Sequence, residues 1–146
     1  MCAFLRFLAV TMLLLSGVAW AGTERGTPDE AKAMAIRAAA LLKEDGPDKA
    51  FAEFAQPAFH DRDLYVMVYD DKGNCLFHGA NPVLVGKNLL ELKDTNGKLT
   101  MHEFVAVQDA AWVEYSFADP VTKKVAPKAT YVIRVGHDLV GVGAYK

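Results

Sequence analysis

Four polar side chains stand in stretches that otherwise read as apolar strands: His78, Tyr115, Lys128 and Tyr131. Their types set the available chemistry: a cation, two hydroxyls that donate or accept, and an imidazole able to change charge near neutral pH. Nucleophilic catalysis finds little to work with. Past the first 21 residues the chain holds one serine, Ser116, with no Gly-x-Ser-x-Gly elbow around it. No phosphate-cradling glycine loop of the Gly-x-Gly-x-x-Gly or Walker kind is present, so nucleotide cofactors lack support. His60, His102 and His137 have no second histidine or carboxylate at metal-ligand spacing, and His102-Glu103 is not followed by the second histidine of a zinc-protease helix. The expectation is binding rather than turnover, with no catalytic residue, metal or cofactor.

The elements that must position these groups are legible in outline. Thr27-Pro28-Asp29-Glu30 opens a helix with an N-cap, a proline in the first turn and a capping box, and Gly46 closes it. Met34, Ala38, Leu41 and Leu42 recur at helical spacing, and the many alanines between them suit close packing on a flat sheet. Pro47 starts a shorter helix that stops before Pro57. The period then changes to that of strands. Leu64 to Tyr69 and Cys75 to Ala80 flank the turn Asp70-Asp71-Lys72-Gly73-Asn74 as a β-hairpin. That turn resembles a calcium loop but lacks the acidic residue at its far end. A long connection from Val83 to Lys98 must fold back on the body, and a short helix over Leu99 to Gln108 follows. Trp112 to Phe117, Ala129 to Val135 and Leu139 to Tyr145 read as an antiparallel meander.

Five strands with that crossover describe a PAS-like α+β plan: one antiparallel sheet, the long N-terminal helix on one face, and the connecting loop with the short helix on the other. Alternation sorts the side chains. Tyr65, Met67 and Tyr69 share a face of the first strand, either as core or as pocket wall. Tyr115 shares its face with Val113 and Phe117, whereas Trp112 points the other way unless the strand bulges. Leu139, Gly141, Gly143 and Tyr145 share a face whose bare positions would admit a ligand or, as the expected use, the packed helix.

The ends and the charge bound the setting. Arg6, an apolar run from Phe7 to Leu15 and Ala19-Trp20-Ala21 read as a cleaved signal peptide over residues 1–21, leaving one domain over 22–146 in the periplasm. The formal net charge of −2 becomes about −3 once Arg6 leaves, with no basic stretch for nucleic acid. Cys2 leaves too, so Cys75 has no internal disulfide partner and fits as a small buried hydrophobe.

The stretch Leu64 to Pro82, followed by Leu84-Val-Gly-Lys-Asn-Leu89, closely resembles the single Cache domain family of extracytoplasmic sensors. Trp112-Val-Glu-Tyr115, Asp119-Pro120, Pro127-Lys128, Tyr131-Val132 and Gly141-Val-Gly-Ala-Tyr145 recur in that family's order, so the resemblance covers Asp29 to Lys146. It implies a pocket between sheet and connecting loop, with small carboxylates as common ligands. A buried carboxylate needs a cation or hydroxyls beside it. Lys128 is then the expected charge partner, Tyr115 and Tyr131 the hydroxyl donors, and His78 a donor or switch, with Tyr69, Met67 and the less favoured Trp112 as further contacts. Each has a plain alternative: Lys128 and Lys87 as solvated lysines, His78 as a structural histidine, Met67 and Tyr69 as core.

Most relatives sit between two membrane helices and feed a chemoreceptor or histidine kinase. The expectation here is a binding module without an output domain of its own, which a periplasmic or membrane signalling partner reads. Relatives often pair through the first helix, so Met34 and Ala38 could face a twin subunit or cover the sheet. Two rival readings are a protein-interaction module and an enzyme using His78 with Lys128.

Overall fold

The computed structural model describes residues 24–146; the expected signal peptide lies outside them. Helix α1 (Pro28–Asp45) begins as its sequence requires. The Thr27 hydroxyl accepts from the Glu30 amide at 3.2 Å, while the Glu30 carboxylate accepts from the Thr27 amide at 2.8 Å. The Gly46 amide donates back to Leu42, and Pro47 opens α2 (Pro47–Phe54). A 3-10 turn at Pro57–Phe59 leads into a two-residue strand, β1 (His60–Asp61), before the main hairpin of β2 (Leu64–Asp70) and β3 (Cys75–His78). After the long connection come α3 (Thr100–Ala106) and the meander of β4 (Ala110–Ala118), β5 (Val125–Val135) and β6 (Asp138–Tyr145).

The sheet runs β1-β2-β6-β5-β4, all antiparallel, with β3 also on β2. Six strands stand where the sequence suggested five; the extra one, β1, is too short for alternation to announce. The last strand of the chain thus inserts beside the first hairpin. Val66 stands opposite Val142, and Lys128 on β5 opposite Tyr145.

One face of the sheet carries α1. Ala31, Ala35 and Ala38 are fully buried against β5 and β6, and their short side chains bring the helix backbone close to Val66, Val68, Val140, Val142 and Ala144. Met34 also belongs to this layer, so it and Ala38 cover the sheet, the second of the two roles open to them. The other face holds Tyr65, Met67, Tyr69, Val132, Leu139 and Tyr145 beneath Met101, Phe104 and Leu89. The glycine face of β6 therefore looks at the connecting loop, not at the helix as expected. The helix takes the alternate positions Val140, Val142 and Ala144, whose side chains fill the space above the alanines of α1.

The connection reaches from one edge of the sheet to the other by hydrogen bonds. Its first half pairs along β3: the Cys75 amide donates to Lys87 and the Gly86 amide to Cys75, at 2.9 and 2.8 Å. Its second half is tied to β4, where the Asp94 carboxylate accepts from the Ser116 amide at 3.1 Å and the Asn96 side-chain amide donates to the Ser116 hydroxyl at 3.2 Å. A segment held in this way at both ends leaves space between itself and the sheet.

Candidate functional site

That space is a cavity of about 200 Å³ between the sheet and the connection. Tyr69, His78, Tyr115 and Phe117 form its sheet side, Leu89, Met101 and Phe104 its roof, and Leu92, Asp94 and Val125 its mouth. Of the residues singled out by sequence, Tyr69, His78 and Tyr115 meet here. Met67 lies behind them and does not line the cavity, its sulfur accepting from the Tyr69 and Tyr115 hydroxyls at 3.7 and 3.8 Å.

Lys128 stands behind the wall of His78, Tyr115 and Phe117, directly opposite Tyr115 in the strand register and only 1 % exposed. Its ammonium donates to the Tyr65 hydroxyl at 2.8 Å and lies 4.1 Å, 4.8 Å and 5.8 Å from the ring centres of Tyr65, Tyr145 and Phe117. The solvated-lysine alternative is thereby excluded. Among the described residues it forms no ion pair, although a buried ammonium ordinarily requires one. Burial therefore pulls its pKa down to about 7, against the upward pull of Asp63 and Asp119. A chain of hydroxyls continues from it. Tyr65 and Tyr145 oxygens are 3.2 Å apart, and Tyr145 donates to the Ala118 carbonyl at 2.7 Å, so Tyr65 must donate to Tyr145.

His78 is held as a neutral ring. Its Nδ1 accepts the Asn81 amide at 3.0 Å, which places the remaining proton on Nε2. Burial, and next the Lys128 charge, push its pKa down to about 3. Tyr115 is bonded to the Thr130 hydroxyl at 3.0 Å, and burial raises its pKa. At neutral pH the site thus offers uncharged hydroxyls, one imidazole N–H and one amine that gains its proton near pH 7.

Tyr131 and Trp112 are not brought to this cavity. Their rings lie 5.1 Å apart on the helix face, where Lys32 covers Tyr131 at 5.0 Å and Trp112 is 40 % exposed. No bulge displaces β4, so alternation places both opposite Tyr115 and Lys128. Expecting Tyr131 beside Lys128 overlooked that three residues' separation in a strand means opposite faces.

Sequence reading also gave no site role to Asp63, Arg25 or Asp119, the last of which it used only within the Asp119-Pro120 motif. Both carboxylates are fully buried, and Arg25 spans them, at 3.2 Å to Asp63 and 2.6 Å to Asp119. The Gly26 amide adds a 2.6 Å bond to Asp63. Burial would raise the Asp119 carboxyl, but the Val121 amide and Arg25 together hold it below its ordinary value. This clamp fixes the segment preceding α1 to the ends of β1 and β4.

The comparisons with known proteins agree with this fold. The family model described as single Cache domain 2 matches residues 27–145. The chain belongs to the single Cache domain 2 family. The Cache domain is 29 % identical to the sensor histidine kinase MctS of Rhizobium johnstonii over 142 residues, 94 % of this chain and 28 % of that protein. It is 25 % identical to the methyl-accepting chemotaxis protein McpP of Pseudomonas putida over 115 residues, 75 % of this chain and 21 % of that one. The chain thus spans less than a third of the length of these relatives. Among solved structures it resembles a methyl-accepting chemotaxis protein from Vibrio parahaemolyticus, with TM-score 0.71 and 26 % identity over 80 % of this chain and 86 % of that one. A Cache chemosensory domain solved for its recognition of carboxylic acids has the same fold, with TM-score 0.63 and 22 % identity over 80 % and 86 % of the two chains. The protein is a Cache sensor domain, homologous to the extracytoplasmic domains of chemoreceptors and histidine kinases. No helix among the described residues is long and apolar enough to cross a membrane.

Proposed function

We propose that this Cache domain is a periplasmic sensor module that binds a small organic carboxylate without turning it over. The observation that carries the reading is Lys128, a buried ammonium that forms no ion pair among the described residues and stands behind the wall of an apolar cavity. Such a cation lacks a partner that a ligand's carboxylate would supply, and only one of its three N–H groups is used by Tyr65. The cavity, at about 200 Å³, is smaller than the roughly 300–1,000 Å³ of drug-sized sites, which favours ligands of a few heavy atoms. Because His78, Tyr115 and Phe117 stand between the cavity and Lys128, admission of a carboxylate requires one of these side chains to turn. That rearrangement is what a signalling partner would read.

The related domain solved for carboxylic acid recognition supports the ligand class by its shared fold. Binding without turnover rests on the surroundings of His78, whose low basicity makes it a poor general base at neutral pH. A thermal-shift screen with acetate, propionate, lactate and pyruvate tests the proposal. A ligand at a hundred times its Kd adds about 2.7 kcal/mol of stability, a shift of several degrees in a domain of this size. No shift with any of the four would refute it.

A further inference from the structure

Lys128 reaches a partner that does not lie on a neighbouring strand. It belongs to β5, while Tyr65 belongs to β2, and β6 runs between them. The two side chains together span two strand spacings, about 10 Å, the lysine from one side and the Tyr65 ring from the other. The stem consequently lies flat across the backbone of β6. At that crossing a side chain would obstruct it.

The residue at the crossing is Gly143. It stands opposite Thr130 on β5, and the pairing of Val66 with Val142 puts Tyr65 next in line on its other side. A Cβ at this position would come within 2.5 Å of Lys128 Cε and 2.2 Å of Thr130 Oγ1, closer than real Cβ contacts allow. Gly143 does not have a positive φ, so its backbone is one that any residue adopts. Space, not conformation, requires the glycine. Gly141, on the same face, repeats the device less severely: a Cβ there would stand 2.9 Å from Thr130 Cγ2 and 3.3 Å from Met67 Cγ.

We propose that Gly143 is a positioning residue for the ligand site: its missing side chain is the slot through which Lys128 crosses β6, holding the ammonium inside against Tyr65. A methyl group there closes the slot and turns the lysine toward solvent, removing the charge that the carboxylate reading requires. Thr130, which orients the Tyr115 hydroxyl, is displaced by the same methyl group.

The test is Gly143→Ala, alone and with Thr130→Ala, which removes the hydroxyl conflict and leaves the severe one with the lysine beside a 3.0 Å approach to the Ala129 carbonyl. The readouts are the titration of Lys128 followed by NMR on lysine-labelled protein and the affinity for acetate. In either folded variant the Lys128 titration should move up by a pH unit or more toward that of an ordinary lysine, and acetate affinity should fall at least about tenfold. An unchanged titration in a folded variant overturns the proposal. If wild-type protein binds no short carboxylate, the ligand reading fails while the titration still judges the slot. Should neither variant fold, Gly143→Ala is made in a Lys128→Ala, Thr130→Ala background. Recovery of a cooperative melt there supports the slot, and failure to recover overturns it.

Discussion

The Lys128 ammonium and the Tyr65 hydroxyl meet at 2.8 Å across an intervening strand, in a box of aromatic rings with no carboxylate of the described residues in contact. Lowering a lysine from its ordinary 10.5 to about 7 corresponds to about 5 kcal/mol of disfavoured charge. A chain retaining such a group forgoes stability that a hydrophobic residue would return, which is the pattern expected where a binding site needs the charge.

Lys128→Met should therefore make the domain more stable and abolish ligand binding together. The penalty is present in full below about pH 7, where the lysine is charged both folded and unfolded. It fades as pH rises toward 10.5, because over that range the unfolded chain holds the proton more tightly. Chemical denaturation should give the variant an advantage of about 1–4 kcal/mol at pH 6, and a smaller one at pH 9.5.

Ligand affinity should follow the same group. A bound carboxylate favours the ammonium, so binding takes up a proton wherever the free site has lost it. Acetate affinity should stay level from pH 5.5 to about 7 and then fall about tenfold per pH unit, until the titration of the bound form is reached. Calorimetry in two buffers of different ionisation enthalpy should show net proton uptake at pH 8 and little at pH 6.

His78 sets the acid limb. Its pKa is lowered from 6.5 to about 3, so the stability of its neutral buried form is present above about pH 6.5 and is lost as pH falls toward 3. His78→Asn, whose oxygen can replace Nδ1 as acceptor of the Asn81 amide, should flatten stability across that window by removing a slope of up to about 1.4 kcal/mol per pH unit. NMR of the imidazole protons should show no titration of His78 above pH 4.

Much of this was legible in the sequence, and the reasons for the rest are physical. The capping box at Thr27 and Glu30, the Asp70–Asn74 turn and the final meander all rest on local rules, and they stand where those rules place them. Lys128, His78 and Tyr115 were recognisable as polar groups in apolar strands. Tyr131 and Trp112 were misplaced although period-two alternation in β4 and β5 separates them from Tyr115 and Lys128. Strand order was a different matter. Nothing local says that β6 lies between β2 and β5, so the roles of Tyr65, Tyr145 and Gly143 depend on a pairing between distant segments. The Arg25 clamp was hidden similarly, since Asp63 and Asp119 lie far apart in the chain and neither stands in an apolar run.

That clamp makes its own prediction. Arg25→Ala leaves two buried carboxylates without their guanidinium, and breaking an enclosed pair in this way costs about 3–5 kcal/mol. With Arg25 35 % open to solvent, about 2–4 kcal/mol is expected from denaturant melts. The upward pull of Asp63 and Asp119 on Lys128 is then no longer offset by the Arg25 charge, so its titration should move upward in the same variant.

The most direct measurement is a calorimetric titration of acetate and pyruvate at pH 6 into wild-type protein and into Lys128→Met, both checked for a cooperative melt. Saturable one-site binding by the wild type with no detectable heat from the variant is the predicted result. Equal binding by the two proteins, or no heat from the wild type with either acid, would contradict the assignment of Lys128 as the charge that holds the ligand.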